Sequence, residues 1–194
     1  MDKLLEILSA MTPVSAGLQE YLKLIMVPHE FSRGEFLERA GNIHERVYFI
    51  VKGVIRCYTR RNRPDGDKWQ EINKWFKTEG DMITSVESFA LKIPSEEYIQ
   101  ALKPSVVMST TFEELEKLYE GFPEFYRHSH TIAAKEKQFF AHIADMLRLP
   151  AKERYQLFLH RYPELLKDIP QMYLATFMGL EKTTVSRIRN PKRM

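Results

Sequence analysis

The sequence predicts an α+β protein in which an antiparallel β sandwich or barrel precedes a helical region that ends in a helix-turn-helix. Three observations carry that expectation. Glycines at 34, 41, 53, 66 and 80 punctuate runs of β-branched and aromatic residues, the texture of short strands joined by turns. Helical spacing replaces that texture after Thr111. Residues 171–190 combine a small residue, a turn glycine and five apolar positions at the spacing that two crossing helices need. With 44% hydrophobic and 28% charged residues over 194 positions, the chain has material for a sizeable core and is not expected to be disordered.

In chain order, Leu4, Leu5 and Leu8 share one helical face and Leu18, Leu22 and Ile25 another. Thr12-Pro13 separates these two short helices. Val47-Tyr48-Phe49-Ile50-Val51 and Val54-Ile55-Arg56-Cys57-Tyr58 read as strands flanking Lys52-Gly53, a tight turn or a bulge. Pro64-Asp65-Gly66 is a turn signal, because proline presets one dihedral and glycine accepts positive φ. Residues 69–76 return as its partner strand, and 98–102 and 106–110 are further strands, so the sandwich or barrel spans roughly 30–111. Thr111-Phe112-Glu113-Glu114 has the pattern of a capping box opening a short helix.

A longer helix follows Pro123. Phe125, Ile132, Phe139 and Met146 recur every seven residues, with Ile143 between the last two. Such a stripe can pair two chains as a coiled-coil-like seam, or it can pack on the chain's own barrel. Leu149-Pro150 closes this helix, residues 151–160 form another, and Asp168-Ile169-Pro170 introduces the final pair. The expected division is an effector domain over 1–123, a dimerisation helix over 124–148 and a DNA-binding unit over 149–194.

Charge supports a split of roles. Residues 148–194 carry ten Lys or Arg against four Asp or Glu, a net of +6 that leaves −3 on residues 1–147. A cationic end on a mildly acidic body fits a polyanionic partner at that end. The start is interrupted by Glu6 and lacks the apolar run of a signal peptide, and no stretch approaches a membrane span, so a cytoplasmic protein with no membrane partner is expected. The lone Cys57 excludes an internal disulfide and an iron–sulfur centre, and no cofactor is expected.

In the terminal segment, Ala175 is small enough for two helix backbones to approach, and Gly179 suits the sharp turn between them. Leu174, Met178, Leu180, Val185 and Ile188 are spaced to bury the inner faces of both helices. That leaves Lys182, Thr183, Thr184, Ser186, Arg187, Arg189 and Asn190 to contact phosphates and base edges, with residues 183–189 in the major groove. Arg187 is best suited to read guanine with its forked donors.

Taken together, these features resemble the cyclic-AMP receptor protein (Crp-Fnr) superfamily over nearly the whole chain. The markers are Val47-Tyr48-Phe49-Ile50-Val51-Lys52-Gly53-Val54-Ile55-Arg56, Gly80-Asp81 and the terminal motif. The resemblance implies a jelly-roll, cyclic-nucleotide-binding-like barrel and a bacterial-type transcription regulator. It also implies a homodimer joined through the helix carrying Phe125, Ile132, Phe139, Ile143 and Met146. Double-stranded DNA is the implied partner, with RNA polymerase as a further one, and the two recognition helices would lie about one DNA turn (~34 Å) apart.

The ligand site departs from the family. Members that bind cyclic nucleotides hold the ribose with Gly-Glu and clamp the phosphate with an Arg followed by Ser or Thr. Here the matching stretches are Asp81-Met82-Ile83-Thr84-Ser85-Val86-Glu87-Ser88-Phe89 and Pro94-Ser95-Glu96-Glu97-Tyr98, with no arginine between Arg63 and Arg127. Carboxylates at the phosphate end repel a phosphodiester, and losing a buried charged contact costs about 2–5 kcal/mol, which argues against cyclic AMP. Thr84, Ser85, Glu87, Ser88, Ser95, Glu96, Glu97 and Tyr98 remain as candidate residues for an unknown effector of cationic or neutral polar character. Family members also carry a β-hairpin wing after the recognition helix, whereas four residues follow Asn190 here, so weaker phosphate binding is expected.

An enzyme is not expected. His128 and His130 form a His-x-His pair, but on a helix their rings point apart, and no nucleophile elbow or phosphate-cradling loop is present. The competing reading is a ligand-binding barrel whose last helices dock a protein rather than DNA.

Overall fold

A computed structural model of the chain describes residues 1–63 and 66–189. Helices α1 (Asp2–Met11) and α2 (Ala16–Ile25) come first, broken at Thr12-Pro13, and the Ser15 hydroxyl caps α2 by accepting from the Leu18 amide at 3.2 Å. The strands follow as β1 (Val27–Phe31), β2 (Phe36–Glu38), β3 (Arg46–Lys52), β4 (Val54–Arg63), β5 (Gly66–Thr78), β6 (Met82–Ile83), β7 (Tyr98–Ala101) and β8 (Ser105–Thr111). A short helix α3 (Val86–Leu91) lies between β6 and β7.

The strands pair antiparallel in two four-stranded sheets, ordered β1-β8-β3-β6 and β2-β7-β4-β5. That order is a jelly roll, in which consecutive strands alternate between the two sheets except at the β4–β5 hairpin. Ile55 opposite Ala101 and Cys57 opposite Ile99 fill the interior, all fully buried. By the period-2 alternation of strands, Arg56 opposite Gln100 and Tyr58 opposite Tyr98 face the other way.

Lys52-Gly53, expected as a tight turn or a bulge, lies at a corner between sheets, since β3 belongs to one sheet and β4 to the other. A register shift between Ile50 and Lys52 precedes it. Gly53 sits at φ +124°, and a Cβ there would fall 2.1 Å from the Ser105 hydroxyl, so both the backbone angle and the close approach require glycine. In the Pro64-Asp65-Gly66 turn, Pro64 and Asp65 lie outside the described residues, while Arg63 and Gly66 pair across the β4–β5 hairpin.

Beyond the barrel run α4 (Phe112–Gly121), α5 (Phe125–Leu147) and α6 (Ala151–Arg161). Thr111 caps α4 by accepting from the Glu114 amide at 3.3 Å, but only half of the capping box forms, because the Glu114 carboxylate accepts from Lys117 and Tyr21 instead. The last helices are α7 (Gln171–Phe177) and α8 (Lys182–Arg189). Buried side chains fall into two clusters. One joins α1, α2, α4 and the start of α5 to Phe49 and Met108; the other runs from the barrel interior through the end of α5 into α6, α7 and α8. Among the described residues no helix is long and apolar enough to cross a membrane.

Of the two roles expected for the stripe on α5, packing on the chain's own body is the one that its burial matches. Phe125, Ile143 and Met146 are buried in the chain's own core, and Ile132 and Phe139 pack against it, so this stripe does not face outward. The adjacent stripe, one residue on, is the exposed one: Tyr126, Ala133, Phe140 and Leu147, with Ala144 beside them. Both stripes have the same period, and the one with the bulkier apolar side chains is the one turned inward.

Candidate nucleic-acid interface

The turn between α7 and α8 is built from backbone geometry. Met178 ends α7, Gly179 takes φ +62°, and the Leu180 amide reaches back to the Ala175 carbonyl at 2.9 Å while the Gly179 amide donates to Thr176 at 3.3 Å. This pair of bonds is a Schellman motif, which satisfies carbonyls that a helix end leaves open. Arg154 of α6 adds a further partner, donating to the Met178 carbonyl and to Leu149. Ala175 is 2% exposed and Val185 is fully buried, with Leu174 and Met178 buried and Leu180 and Ile188 packed against the same cluster.

With that face anchored, Lys182, Thr183, Arg187 and Arg189 of α8 are exposed, and Thr184 and Ser186 are half-buried. Asn190 and the basic residues after it lie outside the described residues. The outward face of α8 therefore presents ammonium, guanidinium and hydroxyl donors at helical spacing, the chemistry that binds phosphate oxygens and base edges.

α7 is itself docked on β5 and β4. Asn73 Nδ2 donates to the Thr176 hydroxyl at 2.8 Å, and the Arg56 guanidinium stacks over Tyr173 at 3.8 Å while bonding Gln100, Asn73 and Glu71. Phe76 meets Phe177 edge-on at 5.3 Å. Sequence reasoning assigned Arg56 and Asn73 no role. For Arg56 the available signal was a charged residue between the apolar strand residues Ile55 and Cys57; Asn73, beside Lys74, offered none.

The expected effector residues converge only in part. A cavity of about 940 Å³ lies between the barrel, α5 and the α7–α8 turn, lined by Thr84, Ser85, Glu87, Ser88, Ser95, Glu96 and Glu97 among others. Tyr98 is not in it; its ring stacks instead on Tyr58, with centroids 5.0 Å apart. The hydroxyls are engaged in holding the loops. Ser85 bonds Ser95 at 3.0 Å, Ser88 donates to the Ile93 carbonyl at 2.6 Å, and Thr84 donates to the Arg46 carbonyl at 3.0 Å.

The charges of the cavity are mostly negative. Glu97 is paired with Lys74 at 2.8 Å; burial, the largest single influence, lowers the Lys74 pKa, but the hydrogen bond to Glu97 and the negative charges around it together raise it. Glu136 accepts from buried Lys77 at 2.6 Å, and Arg154 is committed to backbone carbonyls. Glu87 and Glu96 are exposed at the cavity edge. The cavity also reaches Phe140 and Leu147 of α5 and residues 176–179 at the α7–α8 turn, which no local pattern in the chain signals.

The histidine pair separates as helical geometry requires, with His128 buried against Thr12 and His130 exposed. In the basic hairpin, Arg60 lies over the Tyr98 ring at 4.6 Å and Arg61 is exposed, while the side chains of Arg63 and Lys68 lie outside the described residues.

No protein-family model and no curated protein matches the sequence. Solved structures do. The c-di-GMP responsive global regulator CLP of Xanthomonas campestris is 14% identical, with a TM-score of 0.68 over 91% of each chain. FixK2 of Bradyrhizobium japonicum is 20% identical, with a TM-score of 0.68 over 86% of this chain and 84% of that one. A CooA variant of Carboxydothermus hydrogenoformans is 17% identical, with a TM-score of 0.63 over 97% of this chain and 83% of that one. These neighbours are Crp/Fnr regulators, and cyclic-nucleotide-binding domains match as well. The jelly roll, the long helix and the terminal helix pair give this chain the fold of the Crp-Fnr superfamily of transcription regulators.

Proposed function

We propose that the protein is a DNA-binding transcription regulator that works as a homodimer and whose barrel cavity does not take cyclic AMP. The observation that carries the DNA-binding reading is the division of α8: Val185 is fully buried, whereas Lys182, Thr183, Arg187 and Arg189 are exposed as a donor-rich ridge. A helix serving only as packing has no need of that ridge, and groove entry does.

Dimerisation is supported by the outward stripe on α5. Tyr126 is 51% exposed and Phe140 41%, on a helix whose opposite face is already buried in the protein. An exposed stripe that repeats every seven residues and carries large aromatics two heptads apart is suited to a second copy of the same helix. The bias against cyclic AMP is supported by the cavity's chemistry. Its carboxylates outnumber its cations, and its one arginine, Arg154, already donates to carbonyls. A cyclic phosphate would meet repulsion where it needs charge-assisted donors.

The test is titration of the purified protein into labelled duplex DNA at two salt concentrations, followed by selection of bound sequences from a random pool. A DNA reader binds more weakly as salt rises and enriches a sequence. A blank at low salt would favour a protein-docking role for the last helices.

A further inference from the structure

A second basic feature lies away from the α8 ridge but adjoins it. Beside the start of α7 a cleft of about 400 Å³ opens between the barrel and the terminal helices. The barrel contributes Arg33, from the turn between β1 and β2, and Lys103, from the turn between β7 and β8. The helical side contributes Lys167 and Asp168, just before α7, and Arg189 in the last turn of α8. Four cationic side chains thus line the cleft with one carboxylate.

That carboxylate is already paired. Lys103 donates to Asp168 at 2.6 Å, tying the barrel to the segment that enters the helix-turn-helix. Arg33 and Lys167 are exposed, and among the described residues neither has a carboxylate within ion-pair distance. Like charges gathered in one cleft repel, and a bound anion converts that repulsion into attraction. Arg189 belongs both to this cleft and to the exposed face of α8, so the positive surface is continuous from the helix onto the barrel.

We propose that this cleft seats a phosphate group, and that its source is the DNA backbone running past the end of α8. The barrel is then part of the DNA interface. Arg33 and Lys167 hold the backbone without reading sequence, while the outer face of α8 reads bases. This inference rests on the DNA-binding reading above.

The experiment compares the intact protein with an Arg33→Ala/Lys167→Ala double variant on an enriched operator duplex over a range of salt. Each lost phosphate contact makes the slope of log K against log salt shallower by about 0.9. The double variant is therefore expected to lose nearly two units of slope and to bind more weakly at low salt. Its ratio of affinities for operator and scrambled duplex should stay constant. Both side chains are exposed, and an unchanged melting curve checks the fold; Arg33→Glu should weaken binding further than Arg33→Ala.

An unchanged slope with operator binding intact overturns the cleft's role and leaves the DNA-binding reading standing. Absence of duplex binding by the unaltered protein overturns both. Calorimetric titration with inorganic phosphate and pyrophosphate separates the sources. Heat that vanishes in the double variant, with no change in duplex slope, would assign the cleft to a free phosphate compound and overturn the DNA source.

Discussion

Asn73 in β5 and Thr176 in α7 share a 2.8 Å hydrogen bond that ties the barrel directly to the first of the two terminal helices. The bond is flanked by the Arg56–Tyr173 stack and the Phe76–Phe177 contact, so polar and apolar links act on the same seam. The cavity beside this seam is lined by both Asn73 and Thr176. Whatever occupies that cavity meets the element that positions α8.

Thr176→Val keeps the shape of the side chain and removes the acceptor. Asn73 is buried, and its amide would be left without that partner. A buried donor left unsatisfied costs about 1–3 kcal/mol. Urea unfolding should show that loss, and a shift below about 0.5 kcal/mol would mean that water replaces the hydroxyl.

Gly179→Ala tests the turn. At φ +62° a side chain is strained, although a Cβ would meet only Arg154 Nη1, at 3.7 Å. The cost is therefore conformational, about 1–2 kcal/mol, rather than steric. Thermal melting should fall for alanine and less for asparagine, which tolerates the left-handed region better.

Phe140→Glu tests the outward face of α5. Sedimentation velocity is expected to show a monomer with a normal melting temperature. Phe139→Glu should instead destabilise the fold, because Phe139 packs on the core and a carboxylate there would be moved out of water. A Phe140→Glu protein that stays dimeric would remove this face as the seam.

Arg187→Ala should cost about 1–3 kcal/mol on a selected operator and relax preference at one base position. Its exposed side chain makes a folding defect unexpected. Equal affinity for the operator before and after the change would take Arg187 out of base reading.

Stability should fall on mild acidification. Burial holds the pKa values of His128 and His29 below the ordinary histidine value. As pH drops below about 6.5, the unfolded chain takes up protons that the folded one resists, so unfolding is favoured. The loss begins near that value and is complete once pH has passed the lowered folded values. Burial raises the Asp81 pKa, so its contribution has the opposite sign: protonation at still lower pH relieves the cost of a buried charge. Melting temperatures at pH 7.5 and 5.5 should differ, and His128→Gln should narrow the gap; an equal gap in that variant would discount His128.

Much of the architecture could be read from the chain itself. Strand texture, the break at Thr12-Pro13 and the Ala175–Gly179 pair are local signals, because period and turn chemistry act over a few residues. Where reading failed, the missing information was which face meets which neighbour. The heptads starting at Phe125 and at Tyr126 are equally regular, and Lys52-Gly53 is compatible with a hairpin or a corner.

What the residues determined unaided was the menu of elements: a jelly-roll's worth of strands, a long amphipathic helix and a tight helical pair whose outer side is cationic. Long-range packing decided the rest. It turned one stripe of α5 inward, joined Asn73 to Thr176 across the chain, and brought Arg33 beside Arg189 in one cleft. Torsional preferences extend over single turns, whereas the apposition of distant surfaces follows from burying apolar area in three dimensions.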